Sequence, residues 1–202
     1  MVKKIVGTGV LLVLALALQA GVKMYTLKSP DGKVKLEVTA GQGIAYSLFY
    51  DGRLLLKPSR IALHTDLPEA DHWENIRITG TKQRHVSETV QAPFYRVKEF
   101  GIDCNELELR LNNGFSLLMR AYNDGMAYRF VAGRKGEMTV VEERAEFNFA
   151  DDFEAYIPYS TNPKDPWNMA FQNFYTKAPL TQYNTELPAF LPLTVDAGAV
   201  KL

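Results

Sequence analysis

Histidines and carboxylates concentrate in one short stretch of the chain, residues 63–75 (LHTDLPEADHWEN). Imidazole and carboxylate groups bind metal ions when three or four of them converge on one point. The spacing here matches no ligand motif, and the polar, proline-containing sequence predicts a loop between strands. A metal site and a solvated loop therefore both remain open, and we favour the loop. The candidate ligands are His64, Asp66, Glu69, Asp71, His72 and Glu74.

A second group of carboxylates, Asp151, Asp152 and Glu154, follows a predicted strand. Two carboxylates about 5–10 Å apart can hydrolyse a glycosidic bond. Consecutive aspartates at a turn more often cap the backbone, and we favour that interpretation.

His85 is isolated on a predicted strand and has no sequence partner that would make it a base. Gly-x-Ser-x-Gly, P-loop and dinucleotide-binding motifs are absent from the sequence.

Cys104 is the single cysteine, so the sequence excludes an intrachain disulfide and a multi-cysteine metal site. Its neighbours Asp103, Asn105 and Glu106 would not favour a reactive thiolate. We therefore expect a small, buried side chain.

Aromatic residues gather in a proline-rich segment, residues 158–192, which predicts a long irregular stretch. Aromatic side chains can line an inter-domain surface, fill a core or stack on sugar rings, and the sequence leaves these three roles open. The set consists of Tyr156, Tyr159, Trp167, Phe171, Phe174, Tyr175 and Tyr183.

The elements that must position these residues are short strands. Apolar and polar residues alternate in residues 34–39 and 106–111, which is typical of strands with one wet face. Residues 115–122 and 126–132 carry apolar residues on both faces, which predicts a sheet covered on both sides. Residues 44–50 and 140–149 add further strands. Turn sequences separate the strands, namely Ser29-Pro30-Asp31-Gly32, Asp51-Gly52, Asn112-Asn113-Gly114 and Asn123-Asp124-Gly125.

Fold class follows from this pattern. No run of about ten residues has helical periodicity with caps. Many short strands joined by Gly, Asn and Asp turns predict an all-β sandwich or barrel with mainly antiparallel strands.

Charge and composition narrow the classes of partner. Lysine plus arginine total 23 and aspartate plus glutamate total 23, so the sequence gives no electrostatic case for nucleic acid or for anionic lipid.

The N-terminal residues have the pattern of a targeting segment. Lys3 and Lys4 precede the apolar run 5–18, and small residues follow at positions 20 and 21. This pattern predicts a signal peptide over residues 1–20, and hence export to the periplasm or secretion with no membrane association after cleavage. An uncleaved anchor is the alternative, which we disfavour because the apolar run is shorter than a membrane span.

The C-terminal residues predict a strand at 191–195, a turn at 196–199 and the start of another strand at 200–202. A natural domain avoids ending on an unpaired apolar edge. We therefore expect the sequence 21–202 to be one domain that is cut short at its C-terminal end.

Several motifs occur in an order that resembles the N-terminal domain of glycoside hydrolase family 97. The most specific block is residues 120–130 (RAYNDGMAYRF). The chain departs from that pattern at residues 91–95 (QAPFY), where the family commonly has a tryptophan-rich segment. The other matching motifs are residues 29–32 (SPDG), 50–52 (YDG), 58–60 (PSR), 105–107 (NEL), 146–149 (EFNF) and 191–195 (LPLTV).

The resemblance implies a galactose-mutarotase-like β-super-sandwich made of two packed, mainly antiparallel sheets. It also implies an exported, calcium-dependent α-glycosidase acting on α-linked glucosides or galactosides. In that family the catalytic carboxylates and most calcium ligands lie in a (β/α)₈ barrel that follows this domain. One calcium-binding glutamate of the N-terminal domain would fall a few residues beyond Leu202.

By this resemblance the chain itself contains no catalytic and no metal-binding residue, and its substrate-binding residues are undefined. Its partners would be an α-linked oligosaccharide and the catalytic barrel in cis. A stand-alone carbohydrate-binding module is the alternative, and a purely structural or interaction domain is a third.

Overall fold

A computed structural model describes residues 23–160, 162, 164–165 and 173–202. Their secondary structure is almost entirely β, with a single 3-10 turn at Leu180–Gln182. No helix among these residues is long and apolar enough to span a membrane. The strands are β1 (Lys23–Lys28), β2 (Val34–Gly41), β3 (Gly43–Tyr50), β4 (Arg53–Thr65), β5 (Ile78–Gln91), β6 (Glu99–Leu111), β7 (Phe115–Tyr122), β8 (Gly125–Ala132), β9 (Val140–Ala145), β10 (Glu154–Ile157), β11 (Thr176–Pro179) and β12 (Thr194–Asp196).

Two antiparallel sheets form the sandwich. The first has the strand order β1-β2-β3-β4-β9, and the second has the order β5-β6-β7-β8. A third, smaller sheet with the order β11-β10-β12 contributes to the same core. The predicted all-β sandwich with antiparallel sheets is thereby confirmed.

The core follows from strict alternation along the strands. Every second residue of β2 and of β7 is buried, as the period of two in their sequences predicts. Side chains of the two inner faces interdigitate, and the buried phenol of Tyr46 lies 6.1 Å (ring centroids) from Tyr128 on the facing sheet. The largest fully buried side chains are Tyr46, Leu27, Leu36, Ile44, Leu55, Ile61, Leu109, Leu117, Met119, Ile157, Val38 and Val195.

Predicted turns occur where the sequence places them. Asp51 and Gly52 both have positive φ (48° and 79°), as a two-residue hairpin between β3 and β4 requires. Gly32 has φ 77° in the turn between β1 and β2, where the Ser29 hydroxyl accepts a hydrogen bond from the Val34 amide at 3.0 Å. In the last residues, Val195 and Leu202 exchange two backbone hydrogen bonds around the predicted turn at 196–199.

Two strand predictions need correction. Residues 63–65 belong to the end of β4 and not to the loop that we predicted over residues 63–75. Coverage of both faces of the second sheet is also not found within the described residues, because Ala127, Arg129 and Val131 on the outer face of β8 are exposed. The apolar residues on the outer face of β8 are therefore not covered by any of the residues that the structure describes.

Candidate functional site

The six candidate ligands of residues 63–75 do not converge. The His64 Nδ1 atom lies 2.8 Å from the Asp71 carboxylate. Glu69 instead accepts a hydrogen bond from Arg134 at 2.6 Å, and Asp66 accepts one from the Thr139 amide at 3.0 Å. These bonds hold the pKa of both carboxyl groups below the usual range. Within the described ranges, no group of three or more His, Cys, Asp or Glu side chains could hold a metal ion.

Trp73 anchors this loop, which exposes His72, Glu74 and Asn75 as a solvated loop should but buries Ala70 and Trp73. Its indole ring is buried, lies 5.9 Å from the Phe115 ring and 5.1 Å from the Phe130 ring, and donates a hydrogen bond from Nε1 to the Leu63 carbonyl at 3.0 Å. Ala70 and Ile76 are buried beside it. The loop therefore packs over one end of the sandwich core and shields it from solvent.

The acidic residues 151–154 make local structural contacts. Asp152 accepts hydrogen bonds from the Thr181 amide (2.9 Å) and hydroxyl (2.8 Å), which fixes the 3-10 turn. Glu154 forms an ion pair with Lys177 of the neighbouring strand β11 at 2.8 Å. Asp151 accepts a hydrogen bond from the Asp152 amide. These contacts are those of turn caps and cross-strand pairs, as we favoured from the sequence.

His85 and Cys104 lie near each other in the second sheet with different surroundings. His85 is exposed and contacts Asn105 (3.0 Å) and Asp103 (3.0 Å) on the adjacent strand. The Cys104 side chain is fully buried, and burial raises the pKa of its thiol. The predicted burial of this small side chain is thus confirmed.

The aromatic set of the proline-rich segment divides into two groups. Tyr159 packs against Tyr183 with ring centroids 5.4 Å apart, and its hydroxyl accepts a hydrogen bond from the Asn184 amide at 2.7 Å. Tyr156 lies beneath the Lys177 ammonium. Phe174 and Tyr175 are exposed. Trp167 and Phe171 lie outside the described residues.

The structure contains a buried carboxylate, Glu106, that the sequence analysis did not identify as a candidate functional residue. Glu106, on the outer face of the second sheet, is only 5% exposed and accepts hydrogen bonds from Arg84 on β5 and Arg120 on β7, both at 2.7 Å. Burial alone would raise the pKa of Glu106, but the two arginines more than offset that effect and hold the pKa below its usual value. Strand register creates this arrangement, because Arg84 and Arg120 are the cross-strand partners of Glu106.

An apolar cleft of about 710 Å³ lies at one end of the sandwich. The hairpin between β3 and β4 forms one wall, the turn between β7 and β8 forms another, and the C-terminal residues form the third. Arg53 ties the C-terminal turn to this wall by donating to the Ala197 carbonyl at 2.8 Å. The lining residues include Leu48, Tyr50, Leu55, Met126, Phe149, Leu193, Val195 and Leu202. With few polar groups converging on it, the cleft is suited to covering by apolar chain and not to catalysis.

Solved structures share this fold. A β-arabinopyranosidase aligns with a TM-score of 0.71 at 22% identity, over 85% of this chain and 29% of that chain. A glycoside hydrolase family 97 enzyme from Pseudoalteromonas sp. strain K8, solved in complex with panose, aligns with a TM-score of 0.66 at 19% identity, over 85% and 26% of the two chains. The fold is thus that of a β-sandwich found as one part of larger glycosidases.

Sequence relatives identify the family. The family model described as "Glycosyl-hydrolase 97 N-terminal" matches residues 27–202. A retaining alpha-galactosidase from Bacteroides thetaiotaomicron is 40% identical over 189 residues, which are 91% of this chain and 28% of that relative. The chain belongs to the glycosyl-hydrolase 97 N-terminal family, and the resemblance read from its motifs is confirmed. It spans about a quarter of the length of the curated relative.

Proposed function

We propose that this chain is the non-catalytic N-terminal part of a retaining α-galactosidase of glycoside hydrolase family 97. The observation that supports the proposal most strongly is the 40% identity to the α-galactosidase of Bacteroides thetaiotaomicron over nearly the whole chain. The domain would support a catalytic barrel that follows it in the same polypeptide and would wall one side of the substrate pocket. α-Galactosides are therefore the first substrates to assay, and α-glucosides are the second.

The local geometry agrees with a supporting role. Asp151, Asp152 and Glu154 are engaged in turn and cross-strand contacts, and Glu106 is neutralised by two arginines. A general acid requires a carboxyl group with a raised pKa, whereas the arginines lower that of Glu106. The absence of catalytic residues from this chain stays a prediction.

The direct test compares two purified proteins, residues 21–202 and the full-length enzyme, on aryl α-galactosides and aryl α-glucosides. We expect hydrolysis by the full-length enzyme and none by residues 21–202. Turnover by the shorter protein, free of host enzymes, would overturn the proposal. A reading frame that continues into barrel-length repeats of strand and helix would support it, and a frame that stops at Leu202 would contradict it.

A stand-alone carbohydrate-binding module is the second candidate, and the exposed rings of Phe174 and Tyr175 are the observation in its favour. Isothermal titration of residues 21–202 with melibiose, maltose and panose separates the two functions. Millimolar or tighter binding that is abolished by Trp167→Ala would favour the module. Absence of binding would favour the supporting domain.

Calcium dependence is part of the proposal for the full-length enzyme. The described residues alone do not fit a calcium site, since no three candidate ligands converge among them. The ligands would come from the barrel and from a glutamate beyond Leu202. We expect a chelator to abolish hydrolysis by the full-length enzyme and to leave the unfolding temperature of residues 21–202 unchanged.

Export from the cytoplasm is the remaining part of the proposal. Its prediction is based on Lys3, Lys4 and the apolar run 5–18, which have the pattern of a signal peptide. We expect the mature protein in the periplasm or the medium, with an N-terminus near residue 21. N-terminal sequencing of the native protein tests this, and an intact Met1 would contradict it.

A further inference from the structure

A two-stranded arm projects from the second sheet. Strand β7 pairs with β6 only as far as Cys104, which lies opposite Tyr122. Residues 87–91 of β5 and 99–103 of β6 continue past that point and, in the strand pairing of the described residues, pair only with each other. Five residues at about 3.4 Å each give the paired section a length of about 17 Å before its connecting loop. We call residues 87–103 the arm.

The arm has one apolar face and one polar face. Val90 pairs with Phe100, and Glu88 pairs with Ile102, so these side chains share the outer face of the sheet with Cys104 and Glu106. The Tyr95 ring lies 5.5 Å from the Phe100 ring and extends this face into the loop. Ser87, Thr89, Gln91, Glu99 and Asp103 lie on the opposite face.

Exposure of the apolar face is unusual for a soluble domain. Val90, Phe94, Tyr95, Val97 and Phe100 are all exposed, and Phe94 is fully so. An isolated two-stranded hairpin is marginally stable in water, and clustered exposed apolar residues commonly mark a contact surface. The apolar side of the arm faces away from the first sheet. It could reach the sandwich core only if the strand register shifted by one residue, which would move every side chain to the opposite face. Its partner must therefore lie on the outer side of the second sheet.

We infer that the apolar face of the arm packs against the catalytic portion of the same polypeptide. The inference rests on the proposed function, which places that portion after Leu202. The arm passes the turn at Asn123 and Asp124, and this turn also lines the apolar cleft that contains Leu202. The arm and the connection to the catalytic portion therefore lie at the same end of the sandwich. In the curated relative the matched part is only 28% of the protein, so a large body is available there to cover the arm.

The size of the surface favours a contact in cis over a contact with a second copy. A stable complex between separate proteins buries about 800 Å² on each partner. Three aromatic side chains and two valines on a narrow ribbon, all but Phe94 only partly exposed, provide less than that area. A contact within one polypeptide needs less area because the covalent connection has already brought the two surfaces together.

The charges near the end of the arm indicate the chemistry of the surface it meets. Arg96 and Lys98 adjoin the apolar residues, and within the described residues no ion pair involves either of them. The Glu99 carboxylate accepts a hydrogen bond from Gln91 on the neighbouring strand. The matching surface is accordingly an apolar groove with carboxylates at its rim.

Hydrogen exchange of residues 87–103 tests the inference in the full-length enzyme and in residues 21–202 side by side. In the full-length enzyme we expect the amides of Val90 and Phe100 to exchange at least about tenfold more slowly than in the shorter protein. Equal exchange rates in a full-length enzyme that hydrolyses α-galactosides would overturn the inference and leave the proposed function intact. Slower exchange in an inactive full-length protein would overturn the proposed function alone.

Variants provide an independent measurement. Phe100→Ser should lower the unfolding temperature of the full-length enzyme more than that of residues 21–202, and Phe100→Leu should restore most of the loss. Thr89→Ser, on the polar face of the same arm, is the matched control and should change neither temperature. An equal effect of Phe100→Ser on both proteins would contradict the inference. So would arm protection in residues 21–202 that increases with protein concentration, because it would identify a second copy as the partner.

Discussion

Glu106 shows how one residue can be buried on the outer face of a sheet. Its carboxylate lies between two guanidinium groups supplied by the neighbouring strands, and each is held by a hydrogen bond of 2.7 Å. Arg84 is about half exposed (52%) whereas the glutamate is almost covered (5%), so the long arginine side chains form the cover. The three residues join β5, β6 and β7 at the base of the arm.

Replacing Glu106 by glutamine should destabilise the chain. A hydrogen bond to a charged partner contributes about 1.5–3 kcal/mol when buried, and partial exposure of Arg84 reduces that value, so we expect a loss of about 1–3 kcal/mol. Glu108→Gln on the same face is the control, because Glu108 lies 3.9 Å from its arginine partner and is partly exposed. Urea denaturation measures both variants. Equal losses would show that Glu106 has no special role.

The same carboxylate should produce a pH-dependent difference in stability. The pKa of Glu106 is lower in the folded state than its ordinary value of 4.5, so the folded state favours the charged form. The stabilisation is therefore fully present above about pH 5.5 and is lost as the pH falls through 4.5 and then through the folded-state pKa. We expect the difference in unfolding free energy between the wild type and Glu106→Gln to decrease between pH 6 and pH 3. A constant difference would contradict this.

At the scale of elements, Trp73 holds residues 66–77 against the sandwich. Its ring contacts Phe115 and Phe130, and its indole nitrogen binds the end of β4. The loop thus closes the core at the end opposite the arm, since Phe115 begins β7 and Tyr122 ends it.

Truncation of this side chain should be costly. Trp73→Ala removes a buried aromatic ring and is expected to lower the unfolding free energy by about 3–5 kcal/mol. Trp73→Phe retains most of the packing but loses the hydrogen bond to Leu63, so it should cost less than half as much. Urea denaturation of the two variants provides the measurement. A loss below 1 kcal/mol for the alanine variant would show that the loop is not part of the cooperative unit.

Sequence patterns predicted those strands that bury one face. β2 and β7 alternate cleanly because the core removes every second side chain from water, and residues 107–111 of β6 follow the same rule. The bounds of β5 were not predicted, although His85 was placed on a strand, because β5 is an edge strand whose only buried residue is Val86 and apolar alternation does not mark it. β9 is exposed throughout and is held by its pairing with β4. The sequence predicted a strand over residues 140–149, of which Val140–Ala145 form β9, while the bounds of both strands are determined by backbone pairing with a neighbour.

The site was predictable only in part, for a related reason. Residue types marked His64 and Asp71 as possible partners, and they do meet. The triad around Glu106 depends on the register of three strands, and the apolar cleft depends on the approach of the C-terminal hairpin to residues more than 140 positions earlier. Neither arrangement leaves a local pattern in the sequence.

At the scale of the whole molecule, the apolar cleft should distinguish this chain alone from the full-length enzyme. Leu191 and Phe147 at the cleft are exposed, and their apolar surface should bind an environment-sensitive dye such as 8-anilinonaphthalene-1-sulfonate. We expect strong dye fluorescence with residues 21–202 and weak fluorescence with the full-length enzyme, where chain beyond Leu202 would cover the cleft. Leu191→Glu should reduce the signal of the shorter protein. Equal fluorescence of the two proteins would contradict this.

Cys104 gives the molecule a natural reporter at the place where the arm leaves the sandwich. The thiol is the only one in the sequence, it is buried, and its strand neighbours are Val86 and Tyr122. An alkylating reagent can reach it only when the side chains that cover it on the outer face move aside, so the labelling rate in native buffer measures how often the base of the arm opens. Comparing the labelling rate of the Cys104 peptide, followed by mass spectrometry, between residues 21–202 and the full-length enzyme would measure how often the base of the arm opens in each. If the arm packs against the catalytic portion, Cys104 should react more slowly in the full-length enzyme than in residues 21–202.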